Sequence, residues 1–213
     1  MAELDDTNQA LQRFWDQRAA SSATDAERVD SNRRSQRMRF ESFVLTHDLA
    51  GRSILDVGCG VGDLYGHLRD RAIACDYLGV DLSSQMIARC REKYPDGKFE
   101  QANILEWPDE PRFDYTIAVA IHNVRVDGGR ELLERLTRKQ FALCRVATHL
   151  SLLTDRYAGF APHIQPWRAE EILTMALAIT PWVTLRHDYL PHDFGITLYR
   201  KPYIETQPGL LLD

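Results

Sequence analysis

The pattern of apolar and polar positions changes near residue 50. Before that point the chain is polar, charged and helix-prone. Leu11, Phe14 and Trp15 form one short helical stripe, and Val29, Met38, Phe40, Phe43, Val44 and Leu45 form a second that ends near Gly51. From residue 53 short apolar runs alternate with amphipathic stretches. Ser53 to Val57, Asp76 to Asp81, Lys98 to Ala102, Phe113 to Ala120 and a run inside Leu143 to Leu153 read as strands. Helices are predicted over Asp63 to Arg71, Ser84 to Tyr94, Gly128 to Gln140 and Trp167 to Ile179, with Ser83 or Ser84 as a cap. Phe113 to Ala120 is nearly continuous in apolar residues, which fits a strand covered on both faces.

Alternating strands and helices imply a parallel sheet with helices on both sides. The last two strands, Trp182 to Tyr189 and Phe194 to Tyr199, are joined only by Leu190-Pro191-His192-Asp193. So short a link makes a hairpin, and the last strand must run antiparallel. The predicted architecture is therefore an α/β, Rossmann-like, mostly parallel sheet of seven strands, with an antiparallel last strand, helices on both faces and an N-terminal helical cap. Residues 1–50 are assigned to that cap, 51–204 to the main domain and 205–213 to a tail. Leu210-Leu211-Leu212 in the tail is a candidate docking segment.

Composition narrows the function classes. Apolar residues make up 44% and charged residues 27%, a globular profile that excludes wholesale disorder. No apolar run is long enough for a membrane helix, and the acidic start, Glu3-Leu4-Asp5-Asp6, lacks the apolar core of a signal peptide, so a cytoplasmic protein without membrane contact is expected. The cysteines, Cys59, Cys75, Cys90 and Cys144, include no CxxC pair, so no structural zinc or thioredoxin-type chemistry is expected. The net charge of −5 lacks the basic surplus of a nucleic-acid binder, although Arg28, Arg33, Arg34, Arg37 and Arg39 form a local basic run.

The sharpest motif follows the first strand: Asp56-Val57-Gly58-Cys59-Gly60-Val61-Gly62-Asp63. Alternate glycines let the backbone turn tightly and approach a ligand, and the helix that follows points its free amides at it. A dinucleotide loop spaces its glycines GxGxxG. Here the third arrives one residue early, and Asp63 places a negative charge where a pyrophosphate would lie. Asp81, 21 residues after Gly60, ends the second strand, where a carboxylate can take both hydroxyls of a ribose. This stretch resembles motif I of the class I S-adenosylmethionine-dependent methyltransferases. Leu78-Gly79-Val80-Asp81-Leu82-Ser83, Gln101-Ala102-Asn103-Ile104 and Phe113-Asp114-Tyr115-Thr116-Ile117-Ala118 resemble the motifs that follow, in the family's order. Phe14-Trp15-Asp16 resembles a segment that many small-molecule members fold over the cofactor.

The resemblance implies S-adenosylmethionine as cofactor and methyl transfer as activity. It implies that Asp56 orders the glycine loop, that Gly58, Cys59 and Gly60 contact the cofactor, and that Asp81 holds its ribose. Leu82 and Ile104 would sandwich the adenine, with Asn103 at its edge, Ala120 near the methyl end and Trp15 over the top. Arg37 or Arg39 is a candidate partner for the cofactor carboxylate, or else part of a solvated helix face. The acceptor should meet side chains beyond the later strands. His122 is the first candidate base or acceptor contact, unless it only bonds backbone; His187 and Tyr189 are the further catalytic candidates. His187, Asp188, His192 and Asp193 read better as a polar hairpin than as a metal site. Tyr157, Trp167 and Tyr189 form either an aromatic wall or core. The position after strand four reads Ile121-His122-Asn123-Val124, not the Asn/Asp-Pro-Pro-aromatic element of nucleic-acid amino-methylating members. A small-molecule acceptor, through oxygen or nitrogen, is expected, in a monomer or homodimer. The alternatives are a methyltransferase for RNA or protein and a non-catalytic cofactor-binding subunit; a nicotinamide oxidoreductase is disfavoured by the glycine spacing.

Overall fold

A computed structural model describes residues 2–21 and 32–206. Val29 and Arg28 of the sequence reading, and the Leu210–Leu212 segment, lie outside the described residues. The elements run α1 (Ala2–Ser21), α2 (Arg33–Val44), β1 (Ser53–Val57), α3 (Asp63–Asp70), β2 (Asp76–Asp81), α4 (Ser84–Lys93), β3 (Phe99–Gln101), β4 (Phe113–Val119), α5 (Gly129–Leu143), β5 (Cys144–Leu153), α6 (Ala169–Leu177), β6 (Val183–Leu190), β7 (Asp193–Tyr199) and α7 (Tyr203–Thr206). A single 3-10 turn, Ile104–Glu106, follows β3.

The seven strands form one sheet in the order β3-β2-β1-β4-β5-β7-β6. β1 is central, with β2 and β4 parallel on either side, and β7 is antiparallel to both β5 and β6. The turn between β6 and β7 is only Pro191-His192, tighter than the four-residue link read from sequence. The hairpin also carries β7 back between β5 and β6. This insertion cannot be read from chain order, and it sets β6 one strand farther from the centre than its sequence position suggests.

Strand alternation sorts the side chains onto two faces. On one face Ile54, Tyr77, Tyr115 and Ile117 pack with Phe40 and Phe43 of α2, Leu64 and Leu68 of α3, and Ile87 and Cys90 of α4. On the other, Leu150, Leu152, Phe194, Ile196 and Leu198 pack with Leu133 of α5 and with Ile172, Met175 and Ala176 of α6. α1 belongs to neither layer. It crosses the edge where the parallel strands end, setting Leu11 against Val124 and Leu132, and Trp15 against Val61 and Met86. The Thr7 hydroxyl donates to the Asp127 carbonyl at 3.0 Å, and Ser83 hydrogen-bonds Asp16.

α2 is fastened differently. Asn32 caps it by accepting from the Ser35 amide at 2.8 Å. One turn further on, Arg39 makes a two-pronged ion pair with Asp193 at the start of β7, Nε to Oδ1 at 2.8 Å and Nη2 to Oδ2 at 2.9 Å. Both side chains are buried, at 7% and 0% exposure, and Ser151 adds a weaker bond to the same carboxylate. Fork-to-fork geometry offsets the desolvation of such a pair, whereas removing one partner leaves the other charge buried and uncompensated. Asp193→Ala is accordingly expected to lower the unfolding free energy by about 3–5 kcal/mol in urea titration. The double replacement Arg39→Met, Asp193→Leu should recover most of that loss.

Candidate active site

The glycine loop is held in place by the strand next to it. The amides of Gly58 and Cys59 both donate to the Val80 carbonyl at the end of β2, at 2.8 and 3.0 Å. Gly60 turns its amide to Asp81 Oδ2 at 3.0 Å, while the Ser83 amide donates to Asp81 Oδ1 at 2.9 Å. Gly58 sits at φ +70°, and a Cβ there would lie 2.3 Å from Cγ2 of Ile121. Glycine is therefore required at this position for conformation and for space together. Ala120, at the exit of β4, is also left-handed at φ 64°, a conformation unfavourable for a residue with a Cβ.

Two cavities meet at this loop. The larger, of about 880 Å³, is lined by Asp81, Leu82, Met86, Asn103, Ile104 and His122, among others, with Asn8, Leu11 and Trp15 of α1 forming its roof. The smaller, of about 430 Å³, is lined by Gln36, Arg39, Asp56, Cys59 and Asp63. Gly58, Gly60, Val119 and Ala120 border both. The apolar walls Met86, Leu132 and Leu136 were not singled out from sequence. Their only signal was helical periodicity, which marks core as readily as pocket.

The electrostatics of the two cavities differ. Burial pushes the Asp81 carboxyl up to about 6, against the opposing pull of the Ser83 and Gly60 amides, and the nearby Asp16 raises it further. Asp56 is pushed up to about 7 by burial, although Tyr77 donates a 2.6 Å bond to it; Asp81 and Asp63 add repulsion. Asp63 binds Gln36 Nε2 at 2.9 Å and Lys93 Nζ at 2.6 Å, which ties α2, α3 and α4 together at the rim. The arrangement suits an elongated ligand that carries hydroxyls to Asp81 and a positive charge to Asp56 and Asp63.

The remaining candidates fall into separate places. Arg37 stands outside both cavities, its side chain 72% exposed and 3.9 Å from Glu41. Helical periodicity turns positions 36, 39 and 40 of α2 inward, so of the two arginines Arg39 lines the smaller cavity. Asn103 lines the larger cavity, yet both ends of its side chain serve the following turn: Oδ1 accepts from the Leu105 amide at 3.2 Å and Nδ2 donates to Glu106 at 3.1 Å. His122 is buried in the larger cavity wall, and burial depresses it to about 3. Burial disfavours the charged form, so the imidazole is neutral in the ligand-free fold.

His187 and Tyr189 line neither cavity, because the β7 insertion carries β6 away from the β4 exit. His187 is exposed beside Phe194, with ring centroids 6.4 Å apart. The Tyr189 hydroxyl is buried without a hydrogen-bond partner. Trp167 is core: it is buried, and its indole N–H donates to the His122 carbonyl at 2.9 Å. Tyr157 is 43% exposed. Asp193 and His192 belong to the α2 anchor, and no metal-binding cluster occurs among the described residues.

Comparison with known proteins agrees with this geometry. Residues 54–139 match the family model of a methyltransferase domain. Trans-aconitate 2-methyltransferase of Rhodopseudomonas palustris (strain BisB5) is 37% identical over 73 residues, 34% of this chain and 28% of that protein. The enzyme of the same name from Escherichia coli O1:K1 is 39% identical over 67 residues, 32% of this chain and 27% of its own length. The chain thus spans little more than a quarter of these curated relatives. Magnesium protoporphyrin IX methyltransferase from Synechocystis PCC 6803, crystallised with bound SAH, has the same fold: TM-score 0.66 over 92% of this chain and 100% of that one, at 12% identity. Residues 54–139, which span the glycine loop, thus match a methyltransferase domain, and the sheet with its inserted hairpin has the fold of a solved methyltransferase.

Proposed function

We propose that the protein transfers the methyl group of S-adenosylmethionine to a small-molecule acceptor, at oxygen or nitrogen. The observation that carries this reading is the pair of joined cavities, with Asp81 in one and Asp56 in the other, meeting at a loop that leaves no room for a Cβ at Gly58. The larger cavity fits a nucleoside: Asp81 to accept from the ribose hydroxyls, Leu82, Met86 and Ile104 to cover a flat base. The smaller fits an amino-acid tail: Asp56 and Asp63 for its ammonium and the sulfonium, Arg39 for its carboxylate.

When bound, the cofactor supplies a methyl on a sulfonium, which leaves readily. The chain's own groups then align and exclude water. Ala120 and Gly58 border both cavities, so an acceptor must approach over them. The roof formed by Leu11 and Trp15 closes the nucleoside side. Asp193 engages Nε and Nη2 of Arg39 and so fixes the orientation of the guanidinium before any ligand arrives. Relatives named for a small organic acid support a small acceptor over a macromolecule.

Calorimetry is expected to show micromolar-range binding of S-adenosylmethionine, weakened about tenfold or more by Asp81→Ala, which removes two charge-assisted bonds to the ribose. Absence of binding by the unaltered protein would sink the reading.

Binding should also depend on pH in a defined direction. Both carboxyls are raised by burial, so the ligand-free fold keeps their protons to higher pH than the unfolded chain does. Their contribution to folding is full below the unfolded value of 3.8 and is lost as pH rises through about 6 and about 7. The cofactor needs both groups ionised, so binding releases protons. Affinity is expected to fall on the order of 10²-fold between pH 8 and pH 5.5. In Asp81→Asn the drop should shrink, and equal affinity for wild type at both pH values would refute the linkage.

A further inference from the structure

The basic run along α2 enters the reading above only through Arg39, which turns inward to Asp193. Arg33, Arg34 and Arg37 stay outside and are exposed. α2 carries four arginines against one acid, Glu41, in a chain whose net charge is −5. Arg33 and Arg34 lie in the first turn of the helix, which holds no acidic residue. That is the positive end of the helix dipole, where a further cation is disfavoured. Exposed arginines elsewhere, such as Arg138, Arg156 and Arg186, stand 2.9, 2.5 and 2.9 Å from an acid. Arg37 is 3.9 Å from Glu41, whose two oxygens already accept from Arg71 Nη1 at 2.7 and 3.0 Å. Arg33 has no acidic partner among the described residues.

Arg33 and Arg37 are one helical turn apart, so they share a face. They line an open groove of about 1050 Å³, together with Arg71, just after α3, and Lys93, at the end of α4. Gly66 keeps the groove open on the α3 side. Glycine inside a helix is destabilising, and here a Cβ would collide with the Tyr94 hydroxyl, which also lines the groove. The acids nearby do not cancel the row. Asp63 is held by Lys93 and Gln36, at 2.6 and 2.9 Å, and Glu41 by Arg71, which leaves Asp70 as the acid opposing Arg33 and Arg37 along the groove. Arg71 uses one nitrogen on Glu41, and a guanidinium has five N–H groups, so donors remain on that side as well.

We propose that this groove is a second binding site, for a compact polyanion with two or more phosphate or carboxylate groups, gripped by Arg33 and Arg37 and met by Arg71 and Lys93. Guanidinium groups match the geometry of both kinds of anion. A single anionic group would satisfy only one of the two unpaired arginines. A nucleic acid is disfavoured, because the row is short and the chain as a whole is negative. The groove is distinct from the two cavities of the methyl-transfer site. It shares Gln36, Phe40 and Asp63 with the smaller one, and the Gln36–Asp63 bond forms part of the wall between them. The proposal does not rest on the cofactor reading.

The test is calorimetry at low ionic strength with two probes, inorganic pyrophosphate and citrate. Each is titrated into wild type, into the double variant Arg33→Ala, Arg37→Ala, and into Arg138→Ala as a control on α5. All three positions are exposed, so the fold is retained in every variant. The expected result is submillimolar binding of at least one probe by wild type. The double variant should lose about tenfold or more, since two charge-assisted contacts are removed, and the control should lose nothing. Binding of pyrophosphate only assigns the site to phosphates, and binding of citrate only assigns it to carboxylates; either supports the proposal. It is overturned if neither probe binds wild type at millimolar concentration, if the double variant binds as wild type does, or if the control loses as much as the double variant. Displacement of the probe by S-adenosylhomocysteine would also overturn it, by placing the anion in the cofactor's own site. A single-stranded oligonucleotide that binds more tightly than both probes, with the same dependence on Arg33 and Arg37, would make the surface a nucleic-acid face and overturn it too. Failure of wild type to bind S-adenosylhomocysteine would sink the cofactor reading and leave this result unchanged.

Discussion

The site depends on the clasp between the glycine loop and the end of β2. Gly60 gives its amide to Asp81, and Gly58 and Cys59 give theirs to Val80. These bonds draw the loop across the sheet edge until Gly58 lies against Ile121, leaving no space for a side chain. The loop then forms the floor between two cavities without filling either. A bulkier backbone neighbour would push the loop away from β4 and merge or close the cavities. In the proposed function, the carboxylate that holds the loop also takes the ribose. Loop geometry and ligand recognition are therefore coupled through a single side chain.

The same economy governs the charges. Asp56 and Asp81 are deep enough that burial raises both, which is unfavourable for a carboxylate in the absence of a cation. Arg39 is deep as well, and its guanidinium is paired with Asp193. The fold thus keeps its buried positive charge neutralised from behind, and it leaves the two carboxyls facing the cavities. Such a distribution attracts a cationic ligand and disfavours a diphosphate, the same distinction that Asp63 draws in the sequence.

Much of this was legible in the sequence, for physical reasons. The strand and helix alternation, the parallel core and the antiparallel end follow from periodicity and from the short link near Pro191. Asp56, Gly58, Gly60 and Asp81 were visible because a turn this tight, flanked by acids, has few alternative uses. Three things were hidden. The insertion of β7 between β5 and β6 is a matter of spatial order, and it is why His187 and Tyr189 stand away from the cavities. The orientation of α2 sets Arg39 and not Arg37 at the smaller cavity, and the apolar positions near them, Met38 and Leu45 on one side and Phe40, Phe43 and Val44 on the other, left the helix phase open. The use of Asn103 to bond its own turn depends on local geometry that a motif does not record.

α1 closes the larger cavity with limited means. It rests on Leu11, Phe14 and Trp15 and is tied by the bonds from Thr7 to Asp127 and between Ser83 and Asp16. Burying such side chains stabilises the closed roof by a few kcal/mol, the same order as the cost of breaking the buried pair that anchors α2. The two cap helices are fastened by different means. α2 is held by the buried ion pair and presents Arg39 and Gln36 to the smaller cavity. α1 is held by apolar contact, to which a ligand filling the cavity beneath Trp15 would add, so that in the proposed reading cofactor binding and roof closure strengthen each other. Asp16 sharpens this coupling, because the residue that fastens the roof to Ser83 also raises the Asp81 carboxyl that a ribose would satisfy.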